Sequence, residues 1–446
     1  MFKKVLIANR GEIAVRIIRA CRELGLKTVA VFSTADRNAL HARIADEAVC
    51  IGAPAAKDSY LNEKAILAAC EITGADAVHP GFGFLSENAA FARNCGKCGI
   101  TFIGPSPESI EMLGDKAAAK ATMKKAGVPV IPGSDGAVRS VEEAKKIGEK
   151  IGYPLMVKAS AGGGGRGIRL VERPEDLETQ FAAASSEALS CFGDGNLYME
   201  KFIIDPKHIE FQILADKHGN AVHLGERDCS MQRRNQKVLE ESPSTVMTPQ
   251  LRDRMGRAAV AAAKACGYYN AGTIEFLVDK DRNFYFMEMN TRIQVEHPIT
   301  EFVTGIDLVK AQLKIAAGKE LPYSQEDIKV RGHSIECRIN AEKPEAGFRP
   351  SPGKIEALHI PGGPGIRIDS SVYQGYTITP YYDSMIAKLI VYAPTRKEAI
   401  AKMKWALAEF IVEGVDTNID FQLSLIRDPV FEDGSYDIGY LGRKMK

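Results

Sequence analysis

Thr273-Ile-Glu-Phe-Leu-Val278, then Asp279-Lys-Asp-Arg-Asn283, then Phe284-Tyr-Phe-Met-Glu-Met-Asn290 reads as two strands joined by a polar turn. Pairing Asp279 with Phe284 sets Glu275 opposite Glu288. Like charges directly across a sheet repel unless a cation lies between them. A hard divalent cation suits that position, and Asn290, two residues beyond Glu288 on the same face, offers a further oxygen. A register one residue away would instead leave both glutamates on a solvated face. From Glu288 the chain continues Glu-Met-Asn-Thr-Arg-Ile-Gln-Val-Glu296, polar at every even position and apolar at each odd one except Thr291. Kept straight, that run would separate Glu288 from Glu296 by roughly 26 Å. A shared pocket therefore requires a bend within it; otherwise the alternation marks a half-buried strand with one solvated face.

Upstream, Ala161-Gly-Gly-Gly-Gly-Arg-Gly167 falls between two strand-like runs, Leu155 to Ser160 and Ile168 to Val171. It lacks the Gly-Lys-Ser/Thr of a P-loop and opens no helix. Successive glycine N–H groups can still converge on a phosphate, and Lys158 sits in an otherwise apolar strand just before them. The pair suggests a lid over phosphates; the alternative is a hairpin tip with a snorkelling lysine. Met231-Gln-Arg-Arg-Asn-Gln-Lys237 concentrates three cations, without the interleaved aromatics of a nucleic-acid surface. It suits a small anion, or is a solvated charge run. Taken as isolated residues, His208 and His297 read as structural histidines.

The N-terminal region alternates strand and helix: Val5 to Ala8, Glu12 to Leu24, Thr28 to Phe32, Asn62 to Thr73, then strands at Ala77-Val78 and Thr101 to Ile103. That rhythm predicts a doubly wound α/β unit. Its first turn, Asn9-Arg-Gly-Glu12, lacks the glycines of a dinucleotide fingerprint. Pro/Gly punctuation at 127–133 suggests a hinge, and a β-rich, Gly/Pro-punctuated subdomain begins near 331.

At 446 residues the chain has room for about three domains. Its 58 Lys plus Arg against 57 Asp plus Glu supply no global field for nucleic acid or anionic lipid. No apolar stretch approaches the ~20 residues of a membrane span. Nine cysteines and a start without a secretory h-region indicate a reducing cytoplasm. Cys95-Gly-Lys-Cys98 has no second Cys/His pair nearby and reads as plain buried thiols.

Together, Ile7-Ala-Asn-Arg-Gly-Glu-Ile-Ala14, His79-Pro-Gly-Phe-Gly-Phe-Leu-Ser-Glu-Asn88, the Lys158 strand with its glycines, and Glu288-Met-Asn-Thr-Arg-Ile-Gln-Val-Glu-His297 resemble biotin carboxylase of the ATP-grasp superfamily. The resemblance runs from Phe2 to about Leu441. It implies an α/β protein: a doubly wound N-terminal domain (1–114), an ATP-grasp domain (115–330) with a mobile glycine-rich lid (about 132–202), and a β-rich C-terminal domain (331–446). By resemblance, Lys116, Lys158, Gly164, Gly165, Glu200, Lys201, Phe202, Ile203 and His208 hold ATP, and Glu275, Glu288 and Asn290 its Mg²⁺ or Mn²⁺. Lys237, Arg292, Gln294 and Val295 hold bicarbonate, Glu296 is the base, and Arg338 stabilises the biotin enolate, so that Arg292, Glu296 and Arg338 form the catalytic set.

The implied activity is ATP-dependent carboxylation of biotin on a separate biotin carboxyl carrier protein through carboxyphosphate, the first half-reaction of acetyl-CoA carboxylase. A component of a pyruvate or other acyl-CoA carboxylase, or another ATP-grasp ligase, is the alternative. Carboxyltransferase subunits and a second copy in a homodimer are the further partners implied. Many members carry His where this chain has Asn235, which affects one nucleotide contact. The carrier string Ala-Met-Lys-Met is not matched by Ala401-Lys-Met-Lys404, as expected of a stand-alone carboxylase component.

Overall fold

The computed structural model describes residues 2–159, 168–192 and 195–445. It divides into two compact units, one of residues 1–128, 207–276 and 288–446, the other of 129–206 and 277–287.

The first unit begins with a parallel sheet of β1 (Lys4–Ile7), β2 (Lys27–Ser33), β3 (Glu47–Gly52), β4 (Ala77–His79) and β5 (Thr101–Phe102), in the order β3-β2-β1-β4-β5. β1 is apolar on both faces because both are covered. Val5 and Ile7 pack with Ile13, Ile17 and Ile18 of helix α1 (Gly11–Glu23), while Leu6 packs with Val29, Val31 and Ile66. The turn into α1 needs glycine, since Gly11 has φ +70°. Asn9 closes that turn by donating from Nδ2 to the carbonyls of Pro80 (2.6 Å) and Phe82 (2.7 Å), so two of the sequence's signature stretches meet here.

In the second unit β6 (Leu155–Ala159), β7 (Ile168–Val171) and β8 (Leu197–Lys201) form an antiparallel sheet, β7-β6-β8. Leu155, Val157, Val171, Leu197 and Met199 bury against Ala144 of one helix and Leu177, Phe181 and Ala184 of another. The glycine stretch, including Gly164 and Gly165, lies outside the described residues.

The remaining chain builds an eight-stranded sheet from β9 (Lys207–Ala215), β10 (Ala221–Arg233), β11 (Gln236–Ser242), β12 (Asn270–Val278), β13 (Phe284–Asn290), β14 (His333–Asn340) and the strands Ile366–Ser370 and Met385–Ala393. Its order is β13-β12-β9-β10-β11-β14, then Met385–Ala393 and Ile366–Ser370. Helices Arg396–Glu409 and Ile419–Ile426 cover the C-terminal strands through Ile400, Met403, Leu407 and Leu425. Among the described residues no helix is long and apolar enough to cross a membrane.

Two expectations change. The turn after β12 closes one residue earlier than expected: the Asp279 N–H donates to the Asn283 carbonyl at 2.9 Å, and Arg282 takes a left-handed φ of 63°. The three-residue loop with a left-handed last position is a standard hairpin form, and it removes the simple count that set Glu275 opposite Glu288. The cation-rich run Met231 to Lys237 is not one anion patch either. Arg233 pairs with Gln236 across a two-residue turn in which Arg234 and Asn235 have φ of 50° and 64°, so its three cations diverge. Arg233 stacks 3.8 Å from the Phe348 ring centre, Arg234 is exposed, and Lys237 turns inward.

Candidate active site

Lys237 is the hub of the first unit's polar core. β11 carries its Nζ to 2.6 Å from Glu210 Oε2 on β9, 2.9 Å from Glu275 Oε1 on β12 and 2.7 Å from Glu296 Oε1. All three carboxylates are buried. β14 brings Arg338 to the other oxygen of Glu296, Nη2 to Oε2 2.9 Å, and to Glu240 Oε1 at 2.6 Å. Arg227, wholly buried, grips Glu210 at 2.5 Å and donates to Gln212, Thr273 and Thr300.

The bend required by the sequence is present. β13 ends at Asn290, the chain bends at residues 291–292, and Glu296 directly precedes the helix His297–Thr304. The period-two run is therefore not one strand face. Glu87 holds the bend: its Oε1 accepts from the Thr291 N–H (2.9 Å) and Oγ1 (3.1 Å), and its Oε2 pairs with Arg292 Nε at 3.0 Å. Arg292 also donates to Gln294 Oε1 (2.9 Å) and Asn290 Oδ1 (3.1 Å). Asn290 Nδ2 and Gln294 Nε2 donate to Glu275 Oε1 at 2.9 and 3.4 Å. Lys388 donates to the Val295 carbonyl at 2.8 Å.

His208 belongs to this cluster rather than to the structural background. Its Nε2 lies 3.2 Å from Glu275 Oε2, and its Nδ1 meets Gln232 Nε2 at 2.8 Å. His297 is buried at the helix start with Nδ1 2.8 Å from the Gln294 carbonyl oxygen. Lys116 is the exposed first residue of the helix Lys116–Lys125. In the second unit Lys158 Nζ pairs with Glu200 Oε2 at 2.6 Å, Lys201 Nζ donates to the Tyr153 carbonyl at 3.0 Å, and the Phe202 N–H donates to the Pro154 carbonyl at 3.0 Å. Ile203 follows in a partly exposed loop. Cys95 is buried as expected, whereas Cys98 is exposed, and both are free thiols.

Electrostatics separates the carboxylates. Burial works to raise the pKa of Glu296, but Lys237, Arg338 and Arg227 outweigh it and hold the group well below the ordinary range. Glu275 is likewise held low, against burial, by Lys237 and His208. Glu288 goes up, through partial burial and then through repulsion from Glu275, with Lys116 opposing. A carboxyl oxygen whose ionisation is resisted by a neighbouring carboxylate, beside an amide oxygen, fits a hard divalent cation. Glu240 is pushed up to about 7 by burial, with Arg338 pulling down and Glu296 pushing further up.

Sequence reasoning missed Glu87, Glu210 and Glu240. Glu210 and Gln212 alternate with apolar residues in β9, a strand buried along its length. Polar residues on a covered face are the signal that could have found Glu210; Glu87, in an exposed turn, carries no such signal.

Three family models cover the chain: the biotin carboxylase N-terminal domain over residues 1–110, the carbamoyl-phosphate synthase L chain ATP-binding domain over 115–324, and the biotin carboxylase C-terminal domain over 336–443. The chain is 56% identical to Biotin carboxylase 1 of Bacillus subtilis, over 99% of this chain and 98% of that protein. It is also 56% identical to a pyruvate carboxylase subunit of Methanothermobacter thermautotrophicus, over 97% of this chain and 88% of that protein. Among solved structures, the biotin carboxylase of Campylobacter jejuni in a β,γ-ATP complex superposes with a TM-score of 0.92 at 53% identity, covering 99% of both chains. The biotin carboxylase domain dimer of Hydrogenobacter thermophilus 2-oxoglutarate carboxylase, holding MgADP, ADP and bicarbonate, gives 0.90 at 55% identity, over 99% of this chain and 98% of that one. With the N-terminal, ATP-binding and C-terminal models in order and identity sustained end to end, this chain belongs to the biotin carboxylase family.

Proposed function

We propose that this chain uses ATP and bicarbonate to carboxylate biotin borne on a separate carrier protein, through carboxyphosphate. The observation that carries the proposal is the disposition of Glu296, one carboxylate oxygen on Lys237 and the other on Arg338. A carboxylate so held is ionised and ready to accept a proton. It is a weak base while both cations serve it alone, and bicarbonate competing for Lys237 would raise its proton affinity as the proton is needed. Lys237, Arg292, Gln294 and the Val295 backbone are the groups to hold the anion. Glu296 removes its proton, the oxyanion attacks the γ-phosphorus, and ADP leaves. Carboxyphosphate then yields CO₂ and phosphate, the phosphate takes the ureido N–H proton of biotin, and CO₂ joins the enolate so formed, whose charge Arg338 stabilises.

Phosphoryl transfer asks the protein mainly for positioning and neutralisation of charge, which suits this set of lysines, arginines and carboxylates without a protein nucleophile. Lys116, Lys158, Gly164, Gly165, Glu200 to Ile203 and His208 are assigned to ATP. Glu275, Glu288 and Asn290 would hold Mg²⁺ or Mn²⁺, which when bound neutralises the triphosphate. The domain limits 1–114, 115–330 and 331–446, a cytoplasmic setting, a homodimer, and carboxyltransferase subunits as downstream partners belong to the same proposal. The alternative final acceptors, pyruvate or 2-oxoglutarate, are those of carboxylases whose subunits are similarly close in sequence.

Phosphate release from ATP with and without bicarbonate and free biotin tests the reading. Cleavage that requires bicarbonate and rises with biotin is the expected result. Turnover indifferent to bicarbonate, or dependent on an amine, would favour a different ligase.

A further inference from the structure

Val295 and Glu296 are consecutive in the turn after β13, and two neighbouring cations of the sheet grip them. Arg338 on β14 lies directly across from Lys388 on the strand Met385–Ala393. Arg338 reaches the Glu296 carboxylate at 2.9 Å, and Lys388 reaches the Val295 carbonyl at 2.8 Å. Like charges opposite each other in a sheet repel, and here each cation is drawn to its own anions. Arg338 has Glu240 and Glu296. Lys388 has Glu12 Oε1 at 3.0 Å and Asp369 Oδ2 at 3.8 Å, the latter its cross-strand partner on Ile366–Ser370.

Lys388 is wholly inaccessible to solvent. Burying an ammonium costs several kcal/mol before its partners repay it, and a well-packed apolar side chain often serves stability as well or better. A buried ammonium here calls for a role that an apolar residue could not fill. The Val295 carbonyl supplies one. A peptide is planar, so fixing that carbonyl also fixes the direction of the Glu296 N–H and the departure of the Glu296 side chain toward Lys237. Glu12 completes the arrangement from α1 and gives the carboxylate of the Asn9-Arg-Gly-Glu12 stretch a task, as the ammonium's counter-ion.

We propose that Lys388, with Glu12 as its counter-ion, is a positioning residue for the carboxylation reaction, holding the Val295–Glu296 turn in register with Lys237 and Arg338. The inference rests on the function proposed above. It predicts that loss of the ammonium damages the bicarbonate step and spares nucleotide binding, because none of the ATP-assigned residues hydrogen-bonds Lys388 among the described contacts. Misplacement of a reacting group by about 1 Å can cost ~10²-fold in rate.

The test compares the full-length parent, Lys388→Met, Lys388→Arg and Glu12→Gln by bicarbonate-dependent ATP cleavage, with ATP binding measured by calorimetry. A parent without bicarbonate-dependent cleavage would refute the proposed function itself. With an active parent, Lys388→Met should lower kcat at least about tenfold, leave ATP affinity within about twofold, and be partly rescued by Lys388→Arg, which restores a donor. Parental kcat in folded Lys388→Met would overturn the positioning role, as would equal losses in ATP affinity and kcat. Should Lys388→Met fail to fold, Glu12→Gln decides: reduced kcat at unchanged ATP affinity supports the proposal, and parental kinetics overturn it.

Discussion

Glu296 offers the sharpest separation of chemistry from binding. Gln at that position keeps the shape and one of the two accepted hydrogen bonds, its amide nitrogen being unable to accept from Lys237 or Arg338, and it cannot take a proton, a contribution of roughly 10²- to 10⁴-fold for a general base. Glu296→Gln should therefore lower kcat by that order while the Michaelis constant for bicarbonate moves little, since Lys237 and Arg292 still attract the anion. Steady-state phosphate release checks it; parental turnover would relegate Glu296 to a counter-ion. Asn235 is a contrasting case. It occupies the exposed tip of the β10–β11 turn at φ 64°, a left-handed conformation that Asn adopts more readily than most residues. Asn235→His is expected to change the ATP Michaelis constant less than about tenfold, because Asn already offers a donor and an acceptor. A collapse of kcat would instead give Asn235 a role in the chemistry.

At the scale of single strands, β11 places adjacent glutamates in opposite environments. Glu240 faces Arg338, while Glu241 receives His333 Nε2 at 2.7 Å, Arg396 at 2.7 and 3.1 Å, and the Tyr436 hydroxyl. Burial opposes ionisation of Glu241, yet His333 and Arg396 lower its pKa from 4.5 to about 2. A carboxylate lowered on folding contributes stability above its unfolded pKa and loses it as the pH falls through the folded one, here on the order of 3 kcal/mol between about pH 4.5 and 2. Glu240, raised to about 7, runs the other way, its contribution being full below about 4.5 and lost as the pH rises through 7. Denaturant titrations should show Glu241→Gln less stable at pH 7 and its stability flatter with acidification than the parent's; parallel curves would refute the assignment. On β12 and β13, Glu275 and Glu288 should act jointly. If they share a cation, the double Gln variant loses less activity than the product of the single losses, and multiplicative losses would separate them.

The same strands show what a sequence can disclose. The strand–turn–strand pattern identified Glu275 and Glu288 as strand residues, and an argument from reach required the bend before Glu296. Register was not legible, because one left-handed residue, Arg282, closes the turn a position early. Nor were the partners of Glu210, Glu240 and Lys388, since ion pairs made across strands distant in sequence leave no local trace of who meets whom. The doubly wound rhythm was readable in β1 and α1 because a strand covered on both faces must be continuously apolar.

Across the molecule, the family models for ATP binding and for the C-terminal domain end and begin at residues 324 and 336, but the sheet does not stop there. β11 and β14 are hydrogen-bonded through the pairs Leu239–Cys337, Glu240–Glu336, Glu241–Ile335 and Ser242–Ser334. Arg338 thus reaches Glu296 from a strand that belongs in sequence to the next segment. A chain severed after the exposed Lys329 would leave each fragment with an open edge shaped for the other, and unpaired edges seek partners. Co-expressed, the two fragments should reassemble and recover bicarbonate-dependent ATP cleavage, whereas each alone should aggregate; failure to reassemble would mean that the covalent link is needed to restore the ladder. A seam of this kind would make the enzyme a pair of self-finding halves, its activity reporting that both are present together and that the arginine is back at its glutamate.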